Sequence, residues 1–150
     1  MEHSASETPP AGAEDPAYAL DAQIGFVLRR VTQRHLALFS EAIPEVTTTQ
    51  FAVLARLAEQ GPLSQNLLGR EAAMDAATVK GVVDRLARQG LVETARDAAD
   101  KRLLNVALTA AGRALFLARR DDALAVSART LDPLTQRERR QILALLARMT

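Results

Sequence analysis

The sequence predicts a mainly α-helical protein with one small β-hairpin set into it. Three observations carry this expectation. Hydrophobic residues make up 48% of the 150 while aromatics are only 3%, so the apolar content is chiefly Leu, Ala and Val; Ala, Leu and Arg are strong helix formers. Apolar residues recur at three- and four-residue steps through most of the chain, the period of a helix. One stretch breaks that period: residues 91–96 and 103–109 read as paired strands, with Leu104, Val106 and Leu108 alternating with Asn105, Ala107 and Thr109.

The elements follow in order. Residues 1–16 hold Glu2, Glu7, Glu14 and Asp15, no Lys or Arg, and three prolines. Too little apolar surface is present to offset the entropy of ordering, so a disordered acidic tail is expected. A first long helix is expected over residues 17–42, with Ile24, Val27, Leu28, Val31, His35, Leu38 and Phe39 on one face. His35 lies inside this stripe and fits either a satisfied core histidine or a polar anchor in a ligand pocket. Arg29, Arg30 and Arg34 border the stripe, as a solvated flank or as donors that would fix a carboxylate or phosphate. Pro44 ends this helix. Thr47 or Thr48 caps the next, whose Phe51, Leu54, Leu57 and Ala58 are apolar, and Gly61-Pro62 stops it.

Residues 64–102 are the stretch around which the chain is organised. Ser64 caps a helix running to about residue 73, Met74 fills a turn, and Asp75 caps a second helix ended by Gly90. In that helix Val79, Val83 and Leu86 face the core, leaving Thr78, Lys80, Gly81, Asp84, Arg85 and Arg88 on other faces. An interior glycine costs about 1 kcal/mol relative to alanine; close approach to the floor of a groove is one reason for Gly81, drift on an exposed face another. The loop at 97–102 carries Lys101 and Arg102 beside Asp100, and a cationic hairpin tip suits a narrow minor groove. A helix offered to a groove beside a basic hairpin is a device for reading duplex DNA. Thr109 then caps a helix over 110–129 with Ala114, Leu117, Leu124, Ala128 and Leu131 at helical steps. Thr135 and Glu138 form a capping-box pattern before Ile142, Leu145, Leu146 and Met149. The apolar stripes of the first and last two helices need a partner, most simply a second copy of the chain.

Composition narrows the functional class. A length of 150 residues suits one domain. Without cysteine there is no disulfide, thiol catalysis or thiol redox sensing, and a cytoplasmic site is expected. There are only two histidines, one of them His3, so nucleophile–His–acid sets and clustered metal sites are hard to assemble. No enzyme activity, cofactor or metal is expected. No apolar run approaches the ~18–20 residues of a membrane span, so no membrane partner is expected. No basic region precedes an apolar one near the N-terminus, as a signal peptide requires. Net charge is +1, divided as −4 over residues 1–16 and +5 over the remainder, a balance compatible with nucleic acid and also with an ordinary solvated surface.

Four motifs carry a resemblance. Thr47 to Phe51 match T-x-x-Q-[FW]. Thr78 to Leu86 match T-[VI]-x-x-[VL]-[VI]-x-x-L. Asp97 to Arg102 match D-x-x-D-[RK]-R, and Leu108 to Gly112 match L-T-x-x-G. In combination they resemble the MarR family of bacterial winged helix-turn-helix regulators, from about Thr48 to the C-terminus and more loosely over the first helix. Ala98 stands where proline is common and Lys101 where arginine is usual. The resemblance implies one MarR-like domain over residues 17–150: a winged helix-turn-helix at 47–109 and dimerisation helices at 17–42 and 110–150. It implies a homodimer on a palindromic operator in double-stranded DNA, released by a small-molecule effector. LRRVTQRH in the first helix looks like members controlling aromatic-acid breakdown, with an aromatic acid or its coenzyme A thioester as effector. The expected DNA-side residues are Ser64, Gln65, Asp75, Ala77, Thr78, Lys80, Gly81, Arg85, Arg88, Lys101 and Arg102. The expected ligand-side residues are Arg29, Arg30, Arg34 and His35. A winged-helix module that binds proteins rather than DNA is the alternative.

Overall fold

A computed structural model describes residues 17–150; the expected acidic tail lies outside the described residues. A short 3-10 turn at Leu20–Ala22 leads into α1 (Ile24–Ala42), then α2 (Thr48–Gln60), β1 (Leu63–Ser64), α3 (Gln65–Glu71) and α4 (Ala76–Arg88). Strands β2 (Val92–Arg96) and β3 (Leu104–Leu108) precede the long α5 (Ala110–Leu131) and a last helix, α6 (Gln136–Ala147). The first helix therefore begins at Ile24 rather than residue 17.

Side-chain caps set most of the helix starts. Thr47 and Gln50 close a capping box on α2, and Thr135 and Glu138 close one on α6. Ser64, Asp75 and Thr109 each accept a backbone N–H of the first turn of α3, α4 and α5. Each satisfies a donor that the helix itself leaves unpaired. Gly90 follows α4 with φ +73°, a backbone conformation that glycine adopts without steric cost.

The expected hairpin is one strand short of the observed sheet. β2 and β3 pair antiparallel, Val92 opposite Leu108 and Arg96 opposite Leu104. β1 adds to the other side of β3, with Leu63 opposite Val106 and Ser64 opposite Asn105, giving the order β1-β3-β2. Two residues are too few to show an alternating pattern, but their pairing ties the start of α3 to the hairpin.

The core lies under the helix-turn-helix. Leu54, Leu57, Leu68, Val79, Val83, Leu86 and Val106 are fully buried there and join Ile43 and Phe39 at the end of α1. Phe39, Phe51 and Phe116 stack in sequence, with ring centroids 5.8 and 5.6 Å apart, and so join α1, α2 and α5. Away from this core the long helices are bare. Among the described residues α6 buries none, and α5 buries only Gly112 and Val126. Ile24, Val27, Leu28 and Val31 of α1, Leu117 and Leu124 of α5, and Leu143 and Leu145 of α6 are exposed.

Candidate nucleic-acid interface and effector cavities

Helix α4 is anchored by one side and open on the other. Val79, Val82, Val83 and Leu86 are buried. Three- and four-residue spacing puts Ala77, Gly81, Asp84 and Arg88 along the opposite ridge. Ala77, Thr78, Lys80, Arg85 and Arg88 are all exposed. A Cβ added at Gly81 would meet nothing within 4 Å. The centre of the ridge is therefore small, and charged side chains stand around it. Asp75 accepts the Thr78 N–H at 2.7 Å, which holds its carboxyl below the ordinary range. Asp75 therefore serves α4 as its cap. Ser64 likewise accepts the Leu67 N–H at 3.3 Å. Among the described residues the buried Gln65 Oε1 finds no hydrogen-bond partner.

The loop between β2 and β3 is splinted by carboxylates. Asp97 accepts the N–H groups of Ala99 and Asp100 at 2.8 and 2.9 Å and the Asn105 side-chain amide at 2.9 Å. Asp100 takes Arg102 in a fork of two 3.0 Å hydrogen bonds from Nε and Nη2. The Arg102 guanidinium holds the Asp100 carboxyl below its usual range, and its own pKa is raised in return. Arg102 remains exposed, so the fork aims it without covering it. On α4 Lys80 pairs with Asp84 at 2.8 Å. Among the described residues Arg85, Arg88 and Lys101 form no ion pair.

The four expected ligand-side residues separate into two pairs. Arg34 Nη1 donates to the Thr130 carbonyl at 2.7 Å and Nη2 to the Arg129 carbonyl at 2.7 Å, capping the C-terminal end of α5, where a cation is favoured. His35 Nδ1 lies 2.8 Å from the Thr130 hydroxyl. Both line a cavity of about 540 Å³ with otherwise mostly apolar walls from Val31, Leu131, Ile142 and Leu146. Arg30 instead lies over the Phe26 ring at 5.9 Å, and neither it nor Arg29 borders that cavity. A second cleft of about 470 Å³ lies between α2 and α5, lined by Phe51, Phe116, Arg120 and Ser127 among others. The two are joined through the core by the ladder from His35 to Phe39, 6.4 Å, and onward to Phe51.

A model of the MarR family matches residues 45–103, from the loop before α2 to the edge of β3. The HTH-type transcriptional repressor NicR of Pseudomonas putida is 37% identical over 147 residues, 95% of this chain and 93% of that protein. The chain belongs to the MarR family. A crystal structure of a probable transcriptional regulator from Pseudomonas aeruginosa is similar at 47% identity and a TM-score of 0.84, over 88% of this chain and 100% of that one. The structure of Bordetella bronchiseptica BpsR, whose DNA binding is regulated by 6-hydroxynicotinic acid, is 39% identical with a TM-score of 0.84, over 88% and 96%. This MarR-family chain is thus a winged-helix transcriptional regulator and not an enzyme. Among the described residues no His, Cys, Asp and Glu cluster is placed to hold a metal ion, and no helix is long and apolar enough to cross a membrane.

Three features of the site were not singled out by sequence. Arg96 borders a polar cleft with the expected Gln65, Lys80 and Arg102 because β1 and β3 bring α3 against the wing. Arg120 enters the α2–α5 cleft from the middle of α5, a helix whose sequence is read for its apolar stripe. Asp84, which the helical period puts on an outward face but which is not among the expected site residues, stands on the open ridge of α4.

Proposed function

We propose that this regulator is a homodimeric repressor that occupies a palindromic operator and leaves it when a small aromatic acid binds. The observation that carries the DNA half is the open ridge of α4. Ala77 and Gly81 let backbone approach base edges, while Thr78 and Lys80 reach groups of the major groove, where all four base pairs differ. Ser64 and Gln65 at the start of α3, Arg85 and Arg88 on α4, and Lys101 and Arg102 on the wing contact phosphate or the minor groove and fix the register. Asp75 contributes by shaping the first turn of α4. Two copies joined through α1, α5 and α6 set two such helices about 34 Å apart, one turn of the duplex.

The effector half rests on the cavity of about 540 Å³ beside His35, within the usual size of small-molecule sites. Its mostly apolar wall suits a ring, and His35 and Arg34 offer the polar end. Arg29 and Arg30, which do not border it, act there only through a rearrangement or a partner subunit. The regulation of the similar BpsR by 6-hydroxynicotinic acid supports an aromatic acid; a coenzyme A thioester is the larger variant. A second reading places the acid in the α2–α5 cleft, because Arg120 there offers a cation and Phe51 belongs to the DNA-reading unit.

Titration of a labelled duplex upstream of the protein's own gene, with and without 6-hydroxynicotinic, salicylic and benzoic acids, tests this. DNA binding that one acid weakens supports the proposal. His35→Ala should then keep DNA affinity and lose the response to acid. A normal response in His35→Ala with loss in Arg120→Ala moves the site to the α2–α5 cleft. No DNA binding at all would favour a protein-interaction module.

A further inference from the structure

The ridge that α4 presents to DNA carries a carboxylate beside its small centre. Asp84 lies between Lys80, one turn before it, and Arg88, one turn after, and accepts a 2.8 Å hydrogen bond from Lys80. That bond, with the nearby Arg88 charge adding to it, holds the Asp84 carboxyl below its usual range, so it is ionised at neutral pH. Both partners remain well exposed, so the pair is not a core requirement. The N-terminal half of the ridge fills little space, since Ala77 and Gly81 have at most a methyl group, and Arg88 is the other long side chain on it. Lys80 and Asp84 also border a polar cleft of about 340 Å³ with Arg96 and Arg102, between α3, α4 and the sheet.

A phosphate-facing helix gains affinity from every free cation, whatever the sequence of the duplex. A carboxylate at the same place works against this. It keeps Lys80 occupied in the free protein and repels phosphate. We propose that Asp84 is a specificity-determining residue: it holds Lys80 away from phosphate and so suppresses sequence-independent DNA binding. Lys80 is released only where a base acceptor in the groove replaces the carboxylate. The inference rests on α4 being the DNA-reading helix.

The test compares wild type with Asp84→Asn on two probes, a duplex enriched by the wild-type protein from a random pool and a random-sequence duplex, across a range of salt. The asparagine keeps the shape and removes the charge. Binding to the random duplex should tighten about fivefold at low salt, and its salt slope should steepen by about one phosphate contact. Binding to the enriched duplex should change less, so the ratio of the two affinities falls. In a Lys80→Gln background the same Asp84→Asn change should have less than half its effect. Unchanged binding to the random duplex overturns the inference, as does equal tightening on both probes. Loss confined to the enriched duplex also overturns it, since Asp84 would then be accepting a hydrogen bond from a base. An equal effect with and without Lys80 shows that Asp84 acts by general charge and not by holding Lys80. Each of these failures leaves the wild-type enrichment intact. If the wild type enriches no duplex, it is the DNA-reading role of α4 that fails.

Discussion

A Cβ built on Gly112 would lie 1.9 Å from the Leu91 carbonyl oxygen and 2.9 Å from its carbon. The neighbouring atoms are backbone and cannot turn aside. Thr109, which caps α5, also donates its hydroxyl to the Gly90 carbonyl at 2.6 Å. The start of α5 is thereby pressed onto the segment that leaves α4. Gly112→Ala is expected to cost about 1–3 kcal/mol, the range for forced overpacking, measured as a lowered urea midpoint. Gly81 has the opposite reason. Open space surrounds it, so Gly81→Ala should stabilise the free protein by about 0.5–1 kcal/mol through helix propensity. The same change should weaken DNA binding if the backbone there approaches base edges. A Gly81→Ala protein that is more stable and binds DNA as before would show that the glycine is unrelated to the groove. The sequence distinguishes these two glycines only partly. L-T-x-x-G marked Gly112 as the opening of a helix, but the Leu91 carbonyl that excludes a side chain is 21 positions away in the chain and reaches it only in the fold.

At the scale of elements, capping was the most legible feature because it depends on residues three apart. Ser64, Thr47, Asp75, Thr109 and Thr135 all cap as their spacing implies. Long-range partners were not legible. The two residues of β1 carry no pattern of their own. Arg34 reads as a flank of α1, yet its donors go to carbonyls of Arg129 and Thr130, almost a hundred residues on. The cap on α4 has a consequence in acid. The Thr78 N–H lowers the Asp75 pKa below its ordinary value. A carboxylate whose folded pKa is depressed adds stability that is fully present above its unfolded pKa, near 4, and is lost as pH falls through the folded value. Asp75→Ala should therefore be less stable than wild type at pH 7, and the gap should narrow as the pH falls below about 4. Urea melts at a series of pH values measure it. A gap independent of pH would mean that the mutation acts through something other than the charged cap.

At the scale of the molecule, the question is what holds the long helices. The buried cluster accounts for α2, α3, α4 and the sheet, but of the long helices it takes in only the C-terminal end of α1 and one face of α5, where Val126 is fully buried and Leu115, Phe116 and Ala123 are half-buried against it. α6 is held by its corner: Arg139 donates to the Leu134 carbonyl at 2.9 Å and the Ala128 carbonyl at 3.2 Å and pairs with Asp132. Its apolar residues have no comparable place in the chain's own core, and Leu145 and Leu143 are more than half exposed. Contiguous exposed apolar surface of this kind marks an interaction face. In the proposed homodimer this face would also set the half-site spacing, so association and affinity would be linked. Leu145→Glu puts a charge on that face without touching the cluster under the helix-turn-helix or the cavity beside His35. Wild type is expected to sediment as a dimer, and the variant should sediment as a monomer at the same concentrations. It should keep its helical circular dichroism, since Leu145 contributes nothing to the buried core. Its affinity for an enriched operator should fall towards the level of a random duplex, because one half-site alone then carries the binding. A Leu145→Glu protein that remains dimeric and binds operator normally would move the subunit interface away from this face of α6.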